Sequence, residues 1–341
     1  MDTKLTIVLP VFNDWPSFLA LTKDLDGMAR ERGYRLSIVA ADDGSTEPPP
    51  GDLYALGALS NIEAVTLVRL ALNVGHQRAL AVGLCAALDD KSAQRFVLMD
   101  ADGEDRPQDI ALLMASADEF PAKIAVAQRR RRSEKFAFRM FYKAYKTAFA
   151  VLTGKEISFG NFSLLSREHA ERLSMVSELW NNLPAAIMRS RLPIALVPID
   201  RGKRYYGSSK MSFVALSLHG ISAYSVYTDA ILVRLLIATF VLVFVGTLGA
   251  GVVSFLRLFF HSYATPGWAT TVVFGTAIII SQAMFTTLMT ALLLLNSRTQ
   301  RLLIPAMESV HYIRARIAMP FLKGTHAGAG DAEHARMAVS N

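Results

Sequence analysis

The sequence predicts an α/β protein: a mostly parallel sheet domain followed by interfacial helices and a two-helix transmembrane hairpin. Three observations carry this prediction. Short apolar, β-branched runs alternate with helical stretches through the first hundred residues. Acidic or polar clusters stand just past the ends of those runs. Two long stretches without a charged residue lie in the C-terminal half.

Leu5 to Pro10 reads as a first, central strand, and Pro16 opens a helix that runs to about Arg32 and stops at Gly33. Arg35 to Ala40 is a second strand, ending in Asp42-Asp43-Gly44-Ser45-Thr46. The Pro48-Pro49-Pro50-Gly51 cluster marks a loop, Val65 to Leu70 a third strand, and Asn73-Val74-Gly75-His76 a turn into the helix Gln77 to Leu88. A fourth strand at Phe96 to Met99 runs into Asp100-Ala101-Asp102-Gly103-Glu104-Asp105-Arg106-Pro107. Parallel sheets bind ligands outside the carboxyl ends of their strands, so the polar clusters after all four strands are expected to share one crevice.

Asp100, Asp102 and Glu104 stand at alternate positions, and like charges so close repel. A hard divalent cation resolves the conflict: Mg²⁺ or Mn²⁺ prefers oxygen ligands, and Mg²⁺ typically takes one or two carboxylates and fills its other positions with water and phosphate oxygens. Asp-x-Asp alone reads more readily as a solvated acidic turn. Its place at a strand end beside three other polar clusters favours a metal bound to a phosphorylated ligand.

In a chain of 341 residues, 52% of them hydrophobic, the apolar excess is concentrated in two places. Leu235 to Leu256 and Trp268 to Leu295 are each long enough to cross a hydrocarbon core of about 30 Å as a helix. Gly246, Gly249 and Gly251 suit close helix approach, either within one chain or in a homo-oligomer. The linker between the spans is short, which makes them a hairpin. Arg201, Lys203, Arg204 and Lys210 precede it and Arg298, Arg301, Arg314 and Arg316 follow it, so both termini are expected on the cytoplasmic side of the inner membrane. The start of the chain leads directly into a strand, and no cleavable signal is expected. A single cysteine, Cys85, excludes an intramolecular disulfide and reads as a small core residue. The net charge of +7 is concentrated near the spans, where anionic lipid and a phosphorylated substrate explain it better than nucleic acid.

Ile7-Val8-Leu9-Pro10-Val11-Phe12-Asn13-Asp14, Asp42-Asp43-Gly44-Ser45-Thr46, Asn73-Val74-Gly75 and Asp100-Ala101-Asp102 together resemble the successive motifs of glycosyltransferase family 2, inverting enzymes with a GT-A fold. Arg204-Tyr205-Tyr206-Gly207-Ser208-Ser209-Lys210 followed by a two-span hairpin is similar to the dolichol-phosphate mannose synthase and polyprenyl-phosphate glycosyltransferase branch. The resemblance covers roughly residues 4 to 320. It implies a nucleotide-sugar donor, UDP- or GDP-linked, and a polyprenyl phosphate acceptor. It places Pro10, Phe12 and Asp14 in the nucleotide pocket, and Asp43, with Asp42 sharing the role, at the base or ribose. Asp100 and Asp102 would hold Mg²⁺ or Mn²⁺ against the donor diphosphate, with Glu104 completing the coordination.

The basic run Gln128 to Lys135, which contains Arg129, leads into a helical stretch from Phe136 to Leu152 of the kind that lies on a membrane surface. By resemblance this region approaches the lipid phosphate. Asn161 occupies a position where many relatives carry an Asp that is a candidate base, and an amide cannot accept that proton. A phosphate monoester is largely dianionic at pH 7, so Asn161 has an orienting role open to it, with Asp102 or Glu178 as other candidates for a base. Arg201, Arg204, Ser209 and Lys210 suit donor diphosphate or acceptor phosphate.

The expected organisation is a catalytic domain over residues 1–210, an interfacial region over 211–230, and the hairpin over 231–297. A membrane-proximal segment over 298–323, returning along the membrane, and a disordered tail over 324–341 complete it. Two other readings stand beside the leading one. A different acceptor, glycolipid or polysaccharide, is disfavoured by the two spans and by the lack of a Gln-x-x-Arg-Trp motif. A non-catalytic nucleotide-binding membrane scaffold is disfavoured by the intact acidic set.

Overall fold

The computed structural model describes residues 3–51, 59–130, 147–156, 158–207, 222, 224–259, 267–298 and 302–318. Ser209, Lys210, most of the basic run, most of the 211–230 region and the 324–341 tail lie outside them. The chain divides into two units: residues 1–135, 157–226 and 303–341 form the first, and residues 136–156 and 227–302 the second.

The first unit is built on β1 (Thr3–Val11), β2 (Tyr34–Asp42), β3 (Ile62–Leu70) and β4 (Arg95–Leu98), with α1 (Trp15–Arg32) and α2 (His76–Ala87) between them. β1 pairs in parallel with both β2 and β4, and β2 with β3. The four strands therefore end on the same side, as the sequence predicts. Gly33 closes α1 in the left-handed conformation (φ +69°), a backbone state that costs glycine nothing. β1 is buried on both faces: Leu5, Ile7 and Leu9 join one apolar layer with Phe18, Leu21 and Leu25 of α1, and Val8 joins the other with Leu80 and Leu84 of α2. A continuous apolar run, rather than an alternating one, is what such a strand requires.

α3 (Ile110–Glu119), β5 (Ile124–Arg129), β6 (Ser163–Ser166), α4 (Arg167–Ser174), α5 (Leu183–Arg189) and β7 (Ile194–Ile199) extend the sheet. Among the described residues the order across the sheet is β7-β5-β6-β4-β1-β2-β3, with one further strand beyond β3. The short β6 runs antiparallel to both β4 and β5. Its segment carries no strand signal beyond Ser163 to Ser166, because its partners on either side supply the ladder.

The eighth strand corrects an expectation. The stretch after the hairpin was expected to return along the membrane, yet β8 (Ile313–Ala318) pairs antiparallel with β3 at the sheet edge. The signal was present: Ile313, Ala315 and Ile317 are half-buried and alternate with exposed Arg314 and Arg316, a period of two. Trp180 Nε1 donates to the Leu303 carbonyl (2.9 Å) and packs against Tyr312, and Ala71 N donates to the Tyr312 carbonyl (2.9 Å), so this return is fastened along its length.

The second unit contains α6 (Thr228–Phe259) and α7 (Trp268–Arg298), both long and apolar enough to cross a membrane. α6 starts seven residues before the predicted span and includes Arg257. The helices pack on each other through a Thr239–Thr287 hydroxyl pair (2.7 Å) and at Gly246, where a Cβ would stand 2.9 Å from Ile280 Cδ1. Gly246 thus serves packing within one chain, while Gly249 and Gly251 face open space. Residues 147–153 are helical, and the Arg234 guanidinium donates to the carbonyls of Ala150 and Val151 at that helix's end.

Candidate active site

The loops after β1 and β2 are stitched together before any ligand arrives. Asn13, in a left-handed conformation (φ +48°) that Asn tolerates, accepts from the backbone N–H of Thr46 (2.9 Å) and Glu47 (3.1 Å) through Oδ1. Trp15 Nε1 donates to the Glu47 carbonyl (3.0 Å). Pro10 is buried in β1, Phe12 lies exposed one residue past it, and Asp14 stands half-buried before α1. Asp42 accepts from Ser45 N (2.9 Å) and pairs with Arg69 (3.4 Å). Asp43 accepts from Val74 N (2.7 Å) and Gly75 N (3.0 Å), tying the second strand end to the start of α2. Both acids are buried and engaged in turn-building bonds, and burial pushes the Asp43 carboxyl above the ordinary range. Gly44 permits this approach: it has φ +70°, and a Cβ there would lie 2.6 Å from the Asn73 nitrogen.

β4 delivers the acidic turn. Asp100 Oδ1 receives His76 Nε2 (3.1 Å) and the Asn161 amide Nδ2 (3.2 Å). Against the cost of burial, the His76 charge and these hydrogen bonds hold Asp100 well below the usual carboxylate range. Desolvation works against the His76 cation, and the Asp100 charge outweighs it and raises the imidazole pKa. Asp102 is raised, first by desolvation and then by the neighbouring Asp100 charge.

Asn161 is held in one orientation. Its Oδ1 accepts from Gln77 Nε2 (3.0 Å), and Gln77 Oε1 in turn accepts from Leu183 N (2.7 Å), so the buried Gln77 bridges α2 and α5. The Asn161 amide nitrogen faces Asp100 and His76 (3.0 Å to Nε2). At this position the chain presents an amide donor to Asp100. Glu178, the other candidate base, sits beside Arg189 (3.6 Å) and accepts from Ser177 Oγ (3.0 Å).

The loop after β7 brings the basic groups. Arg204 Nη2 meets Asp102 Oδ2 (2.7 Å) and its Nε meets Glu104 Oε1 (2.9 Å). Arg201 Nη2 reaches the same Glu104 oxygen (2.6 Å), and Arg129, at the end of β5, reaches Glu104 Oε2 (3.4 Å) and Asp105 (3.3 Å). The structure therefore brings Asp100, Asp102, Asn161, Arg129, Arg201 and Arg204 into one cluster. It does not gather Asp100, Asp102 and Glu104 as one metal set, and among the described residues no three acids, histidines or cysteines converge as a metal group. Glu104 is buried among three guanidinium groups. Asp100 and Asp102 remain a suitable oxygen donor pair; Glu104 does not join them.

Sequence reasoning missed His76, Gln77 and Asp105. Asp105 is buried, accepts from the Asp100 backbone N–H (3.0 Å), and is pushed up to about 7 by burial and the Asp100 charge. As the fourth acid of the run it was visible. Gln77 and His76 carried no signal, because their partners are distant in the chain.

A sequence model of glycosyl transferase family 2 matches residues 6–174, the segment holding both acid clusters and Asn161. Through this domain the chain belongs to glycosyl transferase family 2. The fold is accordingly of the GT-A type, a mostly parallel mixed sheet, with two apolar helices after it. The family 2 chain is 28% identical over 282 residues to an uncharacterized glycosyltransferase, YkoT, of Bacillus subtilis, covering 79% of this chain and 80% of that one. It is 25% identical over 219 residues to an undecaprenyl-phosphate 4-deoxy-4-formamido-L-arabinose transferase of Klebsiella pneumoniae, covering 62% of this chain and 64% of the relative. A solved mannosyl-3-phosphoglycerate synthase from Rubrobacter xylanophilus superposes with a TM-score of 0.45 at 16% identity over 66% of this chain and 72% of that one, too distant to bear on function.

Proposed function

We propose that this family 2 glycosyltransferase moves a sugar from a UDP- or GDP-linked donor to a polyprenyl phosphate at the cytoplasmic face of the membrane, inverting the anomeric centre. The observation that carries the reading is the cluster at the ends of the parallel strands, where Arg204 pairs with Asp102 and the next acid of the same turn, Glu104, holds Arg201 and Arg129. Such a cluster pairs a cation site with phosphate-binding forks. The undecaprenyl-phosphate transferase relative supports the acceptor class, and the two apolar helices suit a lipid substrate.

Pro10, Phe12 and Asp14 line the nucleotide pocket in this reading, with Asp42 and Asp43 shaping its wall. Asp100 and Asp102 would hold Mg²⁺ or Mn²⁺, which when bound neutralises charge developing on the leaving diphosphate. Arg204 and Arg201 grip phosphate oxygens, and Ser209 and Lys210, later in the same sequence motif, extend that grip. Asn161, locked by Gln77, orients the acceptor phosphate, which attacks as a dianion and needs no base. The hairpin anchors the chain with both termini cytoplasmic, anionic lipid meeting its basic flanks.

The test is transfer of radiolabel from a panel of UDP- and GDP-sugars into organic-extractable product, with purified protein, undecaprenyl phosphate, and Mg²⁺ or Mn²⁺. An acid-labile lipid product that disappears in EDTA is expected. Donor binding without any lipid product would sink the acceptor assignment.

A further inference from the structure

We infer that Glu104 is a positioning residue that pins the arginine-bearing strap Arg201–Tyr205 onto the acidic turn, rather than a ligand of the metal. The inference deepens the transfer reading above and rests on it. Three sets of contacts from different elements lead to it.

The first is backbone. Gly202 N donates to the Glu104 carbonyl (2.9 Å) and Tyr205 N to the Asp102 carbonyl (3.0 Å), laying the strap along the turn. The second is the Glu104 side chain. One of its oxygens takes Arg201 (2.6 Å) and Arg204 (2.9 Å), and the other faces Arg129 (3.4 Å). The third is Tyr205, whose hydroxyl donates to Asp24 Oδ2 on α1 (2.6 Å) and whose ring covers Gly103.

Electrostatics then separates the acids. A carboxylate with three guanidinium groups around it sits in net positive surroundings, and a divalent cation is repelled there. Asp100 and Asp102 each face a smaller opposing charge and repel one another. Arg204 spans both sides, with Nε on Glu104 and Nη2 on Asp102. Glu104 therefore sets the angle at which Arg204 meets whatever occupies the Asp102 side.

The strap carries Arg201, Lys203 and Arg204, so trypsin reports its release without any substrate. The experiment digests the full chain in detergent and quantifies cleavage at these three sites by mass spectrometry. It also titrates Mn²⁺ by electron paramagnetic resonance, with and without UDP or GDP, for wild type, Glu104→Gln, Tyr205→Phe and Asp102→Asn. Loss of a charged hydrogen-bond hub is expected to speed strap cleavage roughly tenfold in Glu104→Gln. Tyr205→Phe, which leaves the acidic turn intact, should also cleave faster. Mn²⁺ affinity should stay at the wild-type value in both and fall in Asp102→Asn. In turnover, Glu104→Gln should lower kcat with the KM for Mn²⁺ unchanged. Unchanged cleavage in both strap variants overturns the inference, and so does a Mn²⁺ affinity lost in Glu104→Gln to the extent it is lost in Asp102→Asn. Cleavage needs no donor or lipid, so a failed lipid-transfer assay would strike the acceptor reading and leave this test standing.

Discussion

Asp102 accepts from the Glu104 backbone N–H (2.9 Å), pairs with Arg204 and feels the Asp100 charge, so a change there reaches every part of the cluster. Asp102→Asn keeps the shape and removes the charge; transfer should fall at least ~100-fold, the scale of several kcal/mol of lost charge stabilisation. Steady-state rates at saturating metal check it, and near-wild-type turnover would exclude Asp102 from the chemistry. Gln77 offers a different kind of test, because it touches no proposed substrate. Gln77→Leu strands the buried Leu183 N–H and frees Asn161, so stability should drop by about 1–3 kcal/mol in urea unfolding, with kcat reduced as well. Cys85 is buried, and desolvation pushes its thiol up to about 11. At pH 8 only about one thiol in a thousand is then thiolate, so a disulfide reagent should react slowly with native protein and rapidly in urea.

At the level of elements, the turn after β4 and the strap after β7 are built to lie against each other. Gly103 makes that possible: it has φ +90°, and a Cβ there would stand 2.6 Å from the Tyr205 ring. Gly103→Ala combines backbone strain with a displaced ring, and a loss of about 1–3 kcal/mol is expected. Thermal unfolding measures the stability, and trypsin cleavage at Arg204 measures the strap. A variant as stable as wild type and equally protected would show that the ring can move aside without cost. β6 makes the same point in another way. Four residues with little intrinsic strand preference hold their place because β4 and β5 flank them, and Asn161 sits two residues before that strand.

For the whole molecule, the return of the chain into the sheet is the feature with most consequence. β8 covers the β3 edge, which otherwise presents a row of unpaired backbone groups and an invitation to aggregate. A chain truncated after Leu302 should therefore lose stability and solubility even though it retains every residue of the candidate site. Size-exclusion chromatography in detergent separates the outcomes: aggregation is expected, and a monodisperse truncated protein would show that β8 is dispensable. The same truncation should expose Cys85 to the disulfide reagent, because Ser309 hydrogen-bonds its thiol.

Much of this molecule was legible without coordinates. Continuous apolar runs ending in acid marked β1, β2 and β4, since a strand buried on both faces leaves no alternation to confuse and its ligand-binding end must be polar. The uncharged stretches marked α6 and α7 for the same reason of solvent. Family motifs named most of the cluster in advance. What tertiary structure decided was which acid does what. Asp100, Asp102 and Glu104 look equivalent as an alternating run, yet Arg129, Arg201 and Arg204 arrive at Glu104 from 25, 97 and 100 residues away. The partners of Asn161 come from residues 77 and 76, across gaps of 84 and 85 positions. The charge state of a carboxylate depends on its neighbours in space, and those neighbours are set only when the sheet closes and the chain returns.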